Sequence, residues 1–185
     1  MNSKSILREV LDFVKTLIIF MVIVILLRVF LFANFNVSGE SMANNFHDGD
    51  KLIVSKLSYL ISDPERFDVI IFHANNKQDF IKRVIGVPGD KIHYKDNMLY
   101  VNDQPIQENY LEQVTLDFTM NELLGSETVP EGHVFVLGDN RTNSQDSRSP
   151  QVGFVPIDNI IGKVSVRYLP YDKFDIGVSG NQALK

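Results

Sequence analysis

The sequence contains no cysteine. Disulfides, thiolate zinc sites and cysteine nucleophiles are excluded, and the chain suits oxidising and reducing compartments alike. A basic surplus is also missing. Eighteen Lys and Arg against 23 Asp and Glu give a formal charge of −5, leaving no cationic excess to neutralise phosphates, so nucleic acid is not expected as a partner. There are no internal repeats and no low-complexity tracts. No G-x-S-x-G elbow surrounds a serine, and no H-E-x-x-H pair or other tight ligand spacing points to zinc. The histidines His47, His73, His93 and His133 have no triad context and read as surface or structural groups.

What is present is unevenly distributed. The 185 residues suggest one ordinary domain with an appendage. The appendage is apolar: Leu17 to Ala33 reads LIIFMVIVILLRVFLFA, with Arg28 the single exception. A run of about 17 to 25 such residues spans a bilayer as a helix, and Leu11, Phe13 and Val14 extend this one on its amino side. Arg28 lies late enough to snorkel toward headgroups. A buried core helix is the alternative, but nothing else in the chain is long enough to surround so uniform a segment. A cleavable signal peptide fits less well, because the run exceeds the usual ~7–15 residues and Leu31 would put a bulky side chain at the −3 site of any exit at Ala33. The run reads as a retained anchor.

Lys4, Arg8 and Lys15 precede it, and no Lys or Arg occurs between Arg28 and Lys51. The positive-inside rule then makes 1–12 a cytoplasmic N-terminus, 13–33 a transmembrane anchor and 34–185 an extracytoplasmic domain of a cell-membrane protein.

That domain has period two. KLIVSKL (51–57), DVIIFHA (68–74), DFIKRVIGV (79–87), MLYVN (98–102), HVFVLGD (133–139) and KVSVRYL (163–169) are short and rich in Val, Ile, Phe and Tyr. Turn formers such as Asp48-Gly49-Asp50, Pro88-Gly89-Asp90 and Asp96-Asn97 separate them. The pattern predicts a mainly β, antiparallel domain, barrel-like or of packed sheets. A helix is expected within part of 111–124 and a surface loop from Gly125 to Gly132.

Three places carry candidate chemistry. Ser41 lies in SGESM (38–42), no more than about 30 Å from the end of the span at roughly 3.3–3.6 Å per residue. Alone, it reads as a serine capping a turn. A serine needs a base before it can act as a nucleophile. Lys82 could supply one, because its same-face neighbours in the strand are Phe80 and Val84 while Arg83 points to the opposite face. A poorly solvated ammonium has a lowered pKa, which makes the neutral amine available as a base. Taken in isolation, the same lysine reads rather as one snorkelling off a sheet face. The third place is GDNRTNSQDSR (138–148), which crowds acids, arginines, hydroxyls and amides behind the apolar run VFVL. On residue type alone, a fixed hydrogen-bonded loop and a solvated one are both consistent with it.

Together, SGESM (38–42), GDKLIV (49–54), KRVIGVPGD (82–90) and GDNRTNSQDSR (138–148), behind an N-terminal anchor, resemble the type I signal peptidases of bacteria, the membrane-anchored serine–lysine peptidases. The compact length and single anchor are similar to the Gram-positive members. The resemblance implies Ser41 as nucleophile and Lys82 as general base and then acid. It implies that Ser144 orients the lysine amine, that Asp146 and Arg148 brace the site with Asp139 nearby, and that Met42 supports the nucleophile. It places the Ser41 N–H in the oxyanion hole, with Gly39 where some members carry a second, serine donor. The implied fold is a β catalytic core with a small variable insertion at about 95–130.

The implied partners are signal peptides of exported preproteins, with small residues at −3 and −1, together with membrane lipid and the secretion translocon. No cofactor or metal is expected. The chain departs from the family pattern after Met42, where Ala43, Asn44 and Asn45 stand in place of a variable residue, proline and threonine. That departure motivates an alternative, a catalytically silent relative that binds signal peptides and assists an active paralogue. A self-cleaving repressor-type serine–lysine peptidase is a third reading, against which the anchor, the lack of a DNA-binding segment and the lack of an Ala-Gly dipeptide all count.

Overall fold

The structure, a computed structural model, describes residues 3–177 apart from 44, 76, 77 and 112. It opens on one long helix, α1 (Ser3–Leu31). From Arg8 to Leu31 the helix is long and apolar enough to cross a membrane, and none of its most apolar window is buried by the rest of the described chain. A helix that is apolar on every face needs a non-aqueous surrounding. No protein core supplies one here, so the core-helix alternative is excluded.

Twelve strands follow among the described residues: β1 (Phe32–Asn36), β2 (Lys51–Ser55), β3 (Val69–Asn75), β4 (Gln78–Gly86), β5 (Ile92–Lys95), β6 (Met98–Val101), β7 (Gln104–Ile106), β8 (Phe118–Thr119), β9 (His133–Leu137), β10 (Val155–Pro156), β11 (Ile160–Leu169) and β12 (Asp175–Ile176). The larger sheet runs β1-β2-β11-β3-β4-β9-β10 with β12 on β11, and the smaller runs β7-β6-β5-β8. Every pairing is antiparallel.

Phe32 and Ala33, read from sequence as the end of the anchor, instead open β1. Phe32 pairs with Ser55, and the Lys56 N–H donates to the Leu31 carbonyl at 2.9 Å, so the last turn of α1 is stitched to the sheet. Helix and strand are both apolar there, and only the pairing partner marks the boundary.

Alternation along β3 and β4 sorts the core. Val69, Ile71 and Ile81 enter one cluster with Met42, Phe46 and Leu52. Ile70, Phe72 and Val84 enter another with Val134 and Val136 on the opposite face. A third cluster joins the two sheets through Ile85, Ile92, Tyr94, Leu99, Phe135 and Leu137. In the smaller sheet, Asp96-Asn97 and Asn102-Asp103 all have positive φ and close two-residue hairpins, the geometry that matches strand twist. The expected helix within 111–124 is α2 (Met120–Leu124). Thr119 and Glu122 form a capping box at its start, and Gly125 closes it in the left-handed region. The loop after Gly125 is mostly exposed, but Val129 is buried and pins it to the core between the sheets.

Candidate active site

Ser41 sits on a tight turn between β1 and β2. Ala43 N donates to Glu40 O at 3.0 Å and Phe46 N to Met42 O at 2.8 Å. Met42 and Phe46 are fully buried and anchor the turn in the core beneath it. From across the fold, Asn140 N donates to Ser41 O at 2.9 Å, and the Asn140 side chain donates to Glu40 O at 3.0 Å. Among the described residues the Ser41 N–H donates no hydrogen bond, and the Gly39 N–H is taken by Asp48 Oδ1 at 2.9 Å.

Lys82 is buried at 3% exposure on β4, opposite Ile70 and with the Phe80 ring centroid 5.0 Å from its Nζ, the apolar face that strand alternation predicts. Its Nζ donates to Ser41 Oγ at 2.6 Å and to Ile81 O at 2.8 Å. Burial lowers the amine from its ordinary 10.5 to about 8, against the charges of Asp146 and Asp139, which favour the ammonium. Arg83 points to the other face and grips buried Asp139 with two bonds, of 2.9 and 2.7 Å.

The 138–148 segment is a fixed loop. Asp146 accepts from Arg148 Nε at 2.9 Å and Arg148 NH2 at 2.8 Å, and from Gly138 N at 3.0 Å. Burial pushes the Asp146 carboxyl up, but the Arg148 bond and charge and the Gly138 N–H outweigh it and leave its pKa lowered. Asp139 N donates to Met42 Sδ at 3.3 Å, so Met42 joins the nucleophile turn to this loop. Ser144 is packed against Gly138 with its Oγ buried beside Asp146, and the bond from Ser144 to the lysine amine is not formed among the described residues. Gly138 is required for this approach, since a Cβ there would lie 2.1 Å from Ser144 Oγ and 2.4 Å from Ser41 O.

Sequence reasoning missed the outer supports. Arg141 is completely buried and pairs with Glu108 of the insertion, while its Nε donates to Gly138 O at 3.0 Å. The guanidinium of Arg83 stacks 4.0 Å above the Tyr110 ring. One signal was available: an arginine facing inward from an apolar strand requires a carboxylate, and 138–148 is rich in them. The histidines are engaged elsewhere. His73 pairs with Asp79, His93 stacks on Tyr100 and His133 bonds Glu131 O.

A cavity of about 160 Å³ opens at the Ser41–Lys82 contact, bordered by Phe35, Ser38, Phe80, Ile81 and Gln145. Beside it, β4 pairs with β3 from Gln78 to Arg83 but with β9 only from Arg83 onward, which among the described residues leaves the edge at Gln78–Lys82 without a strand on that side. Among the described residues no cluster of histidines and carboxylates has metal-holding geometry.

A mainly antiparallel β domain behind one apolar helix brings a serine and a buried lysine into contact, an arrangement compatible with a serine hydrolase. Comparison with known proteins narrows it. Residues 10–169 match the family described as signal peptidase, peptidase S26. The chain is 49% identical over 161 residues to signal peptidase I of Bacillus caldolyticus, covering 82% of this chain and 87% of that one. It is 36% identical over 180 residues to signal peptidase IB of Staphylococcus aureus strain COL, covering 90% and 93%. A crystal structure of a signal peptidase I from Enterococcus faecalis V583 superposes with a TM-score of 0.52 at 42% identity, over 57% of this chain and 99% of that one. The chain belongs to the S26 signal peptidase family of serine peptidases.

Proposed function

We propose that this chain removes N-terminal signal peptides from exported preproteins, with Ser41 as nucleophile and Lys82 as general base. The contact of 2.6 Å between Ser41 Oγ and a buried amine held near 8 is the observation that carries this reading. The neutral amine takes the hydroxyl proton as Oγ bonds to the scissile carbonyl carbon. The oxyanion forms beside the free Ser41 N–H. As the C–N bond breaks, the Lys82 ammonium returns its proton to the departing amine, leaving an acyl ester on Ser41. Lys82 then deprotonates a water that attacks the ester and frees the signal peptide and Ser41. Asp146 and Asp139, each paired with an arginine, keep the lysine pKa from falling further. An extended substrate would pair with the open edge of β4 and present its cleavage site to Ser41.

In this reading α1 anchors the enzyme in the cell membrane, with the N-terminus cytoplasmic and the catalytic domain outside. The substrate is then confined to the same surface. Membrane lipid and the translocon are its surroundings. Ser144, Asp146, Arg148, Asp139 and Met42 hold the geometry.

The test is a cleavage assay with full-length protein in lipid or detergent and a preprotein carrying an Ala-x-Ala site. Cleavage after the second alanine, lost in Ser41→Ala and in Lys82→Ala, is expected. Residual cleavage by Lys82→Ala near neutral pH would refute the lysine base. A folded wild type that binds the preprotein without cleaving it would make the chain a silent peptide-binding relative.

A further inference from the structure

Asn45 stands where the family pattern has threonine, and Asn44, at the proline position, lies outside the described residues. The Asn45 side chain is placed with unusual definition for a family departure. Its Nδ2 donates to the Tyr110 carbonyl at 3.0 Å and to Asp139 Oδ2 at 2.8 Å. Both neighbours are acceptors, a backbone carbonyl and an arginine-paired carboxylate, so the amide can face them only through its nitrogen, with both hydrogens used. Three separate stretches of chain meet at this one group: the nucleophile turn, the polar loop and the insertion.

The main chain of Asn45 is held as well. Its N–H donates to Met42 O at 3.1 Å, and its carbonyl accepts from Arg167 NH1. Asn140 secures the near end of the same turn through Ser41 O and Glu40 O. Without the Asn45 amide, the far end would lose its side-chain bonds to the polar loop and the insertion.

The geometry points to Asn45 as a positioning residue, whose carboxamide fixes the Ser41 turn against Asp139 and the insertion. This rests on the Ser41–Lys82 reading above. The amide has a second, electrostatic consequence. Asp139 is one of the two charges that favour the Lys82 ammonium, the other being Asp146. Arg83 and the Asn45 amide occupy the oxygens of Asp139, with Tyr110 and Arg141 also in its field, and Arg148 occupies Asp146. Removing the amide leaves Asp139 less compensated, which favours the ammonium and moves the acid limb of kcat/KM to higher pH. An aspartate at position 45 adds charge and moves it further.

The experiment measures kcat, KM and the pH profile of preprotein cleavage for full-length wild type, Asn45→Ala and Asn45→Asp, with thermal melts of each. Expected are a fall in kcat of about 10- to 100-fold, the scale of a displacement on the order of 1 Å at a reacting group, a KM close to wild type, and an acid limb raised in Asn45→Ala and raised more in Asn45→Asp. Asn45→Ser, which keeps one donor hydrogen, carries the test if neither of these folds, with a smaller fall in kcat and a smaller rise of the acid limb expected. Loss confined to KM, an unmoved acid limb, or a lowered melting temperature with wild-type kcat would each overturn the inference. Failure of the underlying reading looks different: wild type would not cleave, or Lys82→Ala would.

Discussion

Gly138→Ala is the sharpest single perturbation available at this site. The new methyl would meet Ser144 Oγ at 2.1 Å, Ser41 O at 2.4 Å and Ser144 Cβ at 2.6 Å, whereas ordinary contact begins near 3.4 Å. Rotating the Ser144 hydroxyl does not help, because the Ser144 Cβ is itself too close. The Ser41 carbonyl or the 138–148 loop must therefore retreat by about 1 Å (3.4 less 2.4). Asn140 N holds that same carbonyl at 2.9 Å, so the turn and loop strain against each other instead of relaxing freely. Adding ~1 Å to the Ser41–Lys82 separation of 2.6 Å takes it beyond hydrogen-bond range. A misplacement of this size costs on the order of 10²-fold in rate. Overpacking of a buried site destabilises by about 1–3 kcal/mol, and each kcal/mol is roughly 2–4 °C in a chain of this size. Steady-state cleavage and a thermal melt measured on one preparation separate the two effects. Wild-type kcat in a folded Gly138→Ala protein would refute the reasoning.

The lysine supplies a pH signature. Wild-type kcat/KM should rise through a limb near pH 8 as the Lys82 ammonium loses its proton. The folded-state pKa lies below the ordinary 10.5, so between about 8 and 10.5 the unfolded chain binds more protons and stability increases with pH. At pH 7 the buried ammonium costs about 3 kcal/mol, the fall from 10.5 to about 8 taken at roughly 1.4 kcal/mol per tenfold change in proton affinity. Lys82→Met should therefore abolish cleavage, raise stability at pH 7 by up to ~3 kcal/mol and lose the gain seen on alkalinisation, all readable from melts at pH 7 and 10. Glu108→Ala leaves the Arg141 guanidinium, 0% exposed, without its carboxylate. It should cost about 3–5 kcal/mol, against less than ~1 kcal/mol for breaking the exposed Lys91–Asp103 pair; equal melting temperatures for the two variants would contradict the assignment.

Much of this architecture was legible because burial imposes a period. Two-residue alternation located six of the twelve strands and set Lys82 beside Phe80, and the apolar run located α1. Several of the strands that escaped lacked that signal. β7 and β8 are three and two residues long, with Pro105 inside β7, and β1 is continuous with the apolar helix before it. The site was legible where motifs named its parts, yet the pairings among them were not. Arg141 meets Glu108, and Asn45 meets Asp139, across stretches that no local pattern spans. A long-range partner leaves a trace only as a buried charge in want of compensation. Asn45, read from the chain only as a departure from the family pattern, is in the folded protein bonded to Tyr110 and Asp139.

The bond between Lys56 and Leu31 has a consequence for distance. Helix and sheet share a junction with no intervening linker, since β1 begins at the residue after α1 ends and β2 is stitched across the seam. With α1 in the bilayer, the domain has no tether on which to swing, and the height of Ser41 is set by the length of β1 and the turn beyond it. The molecule then works as a gauge fixed to its bench. In the proposed reading a polypeptide would be cut where its own chain emerges to that height, and inserting flexible residues between Leu31 and Phe32 should blur the position of the cut before it slows the rate.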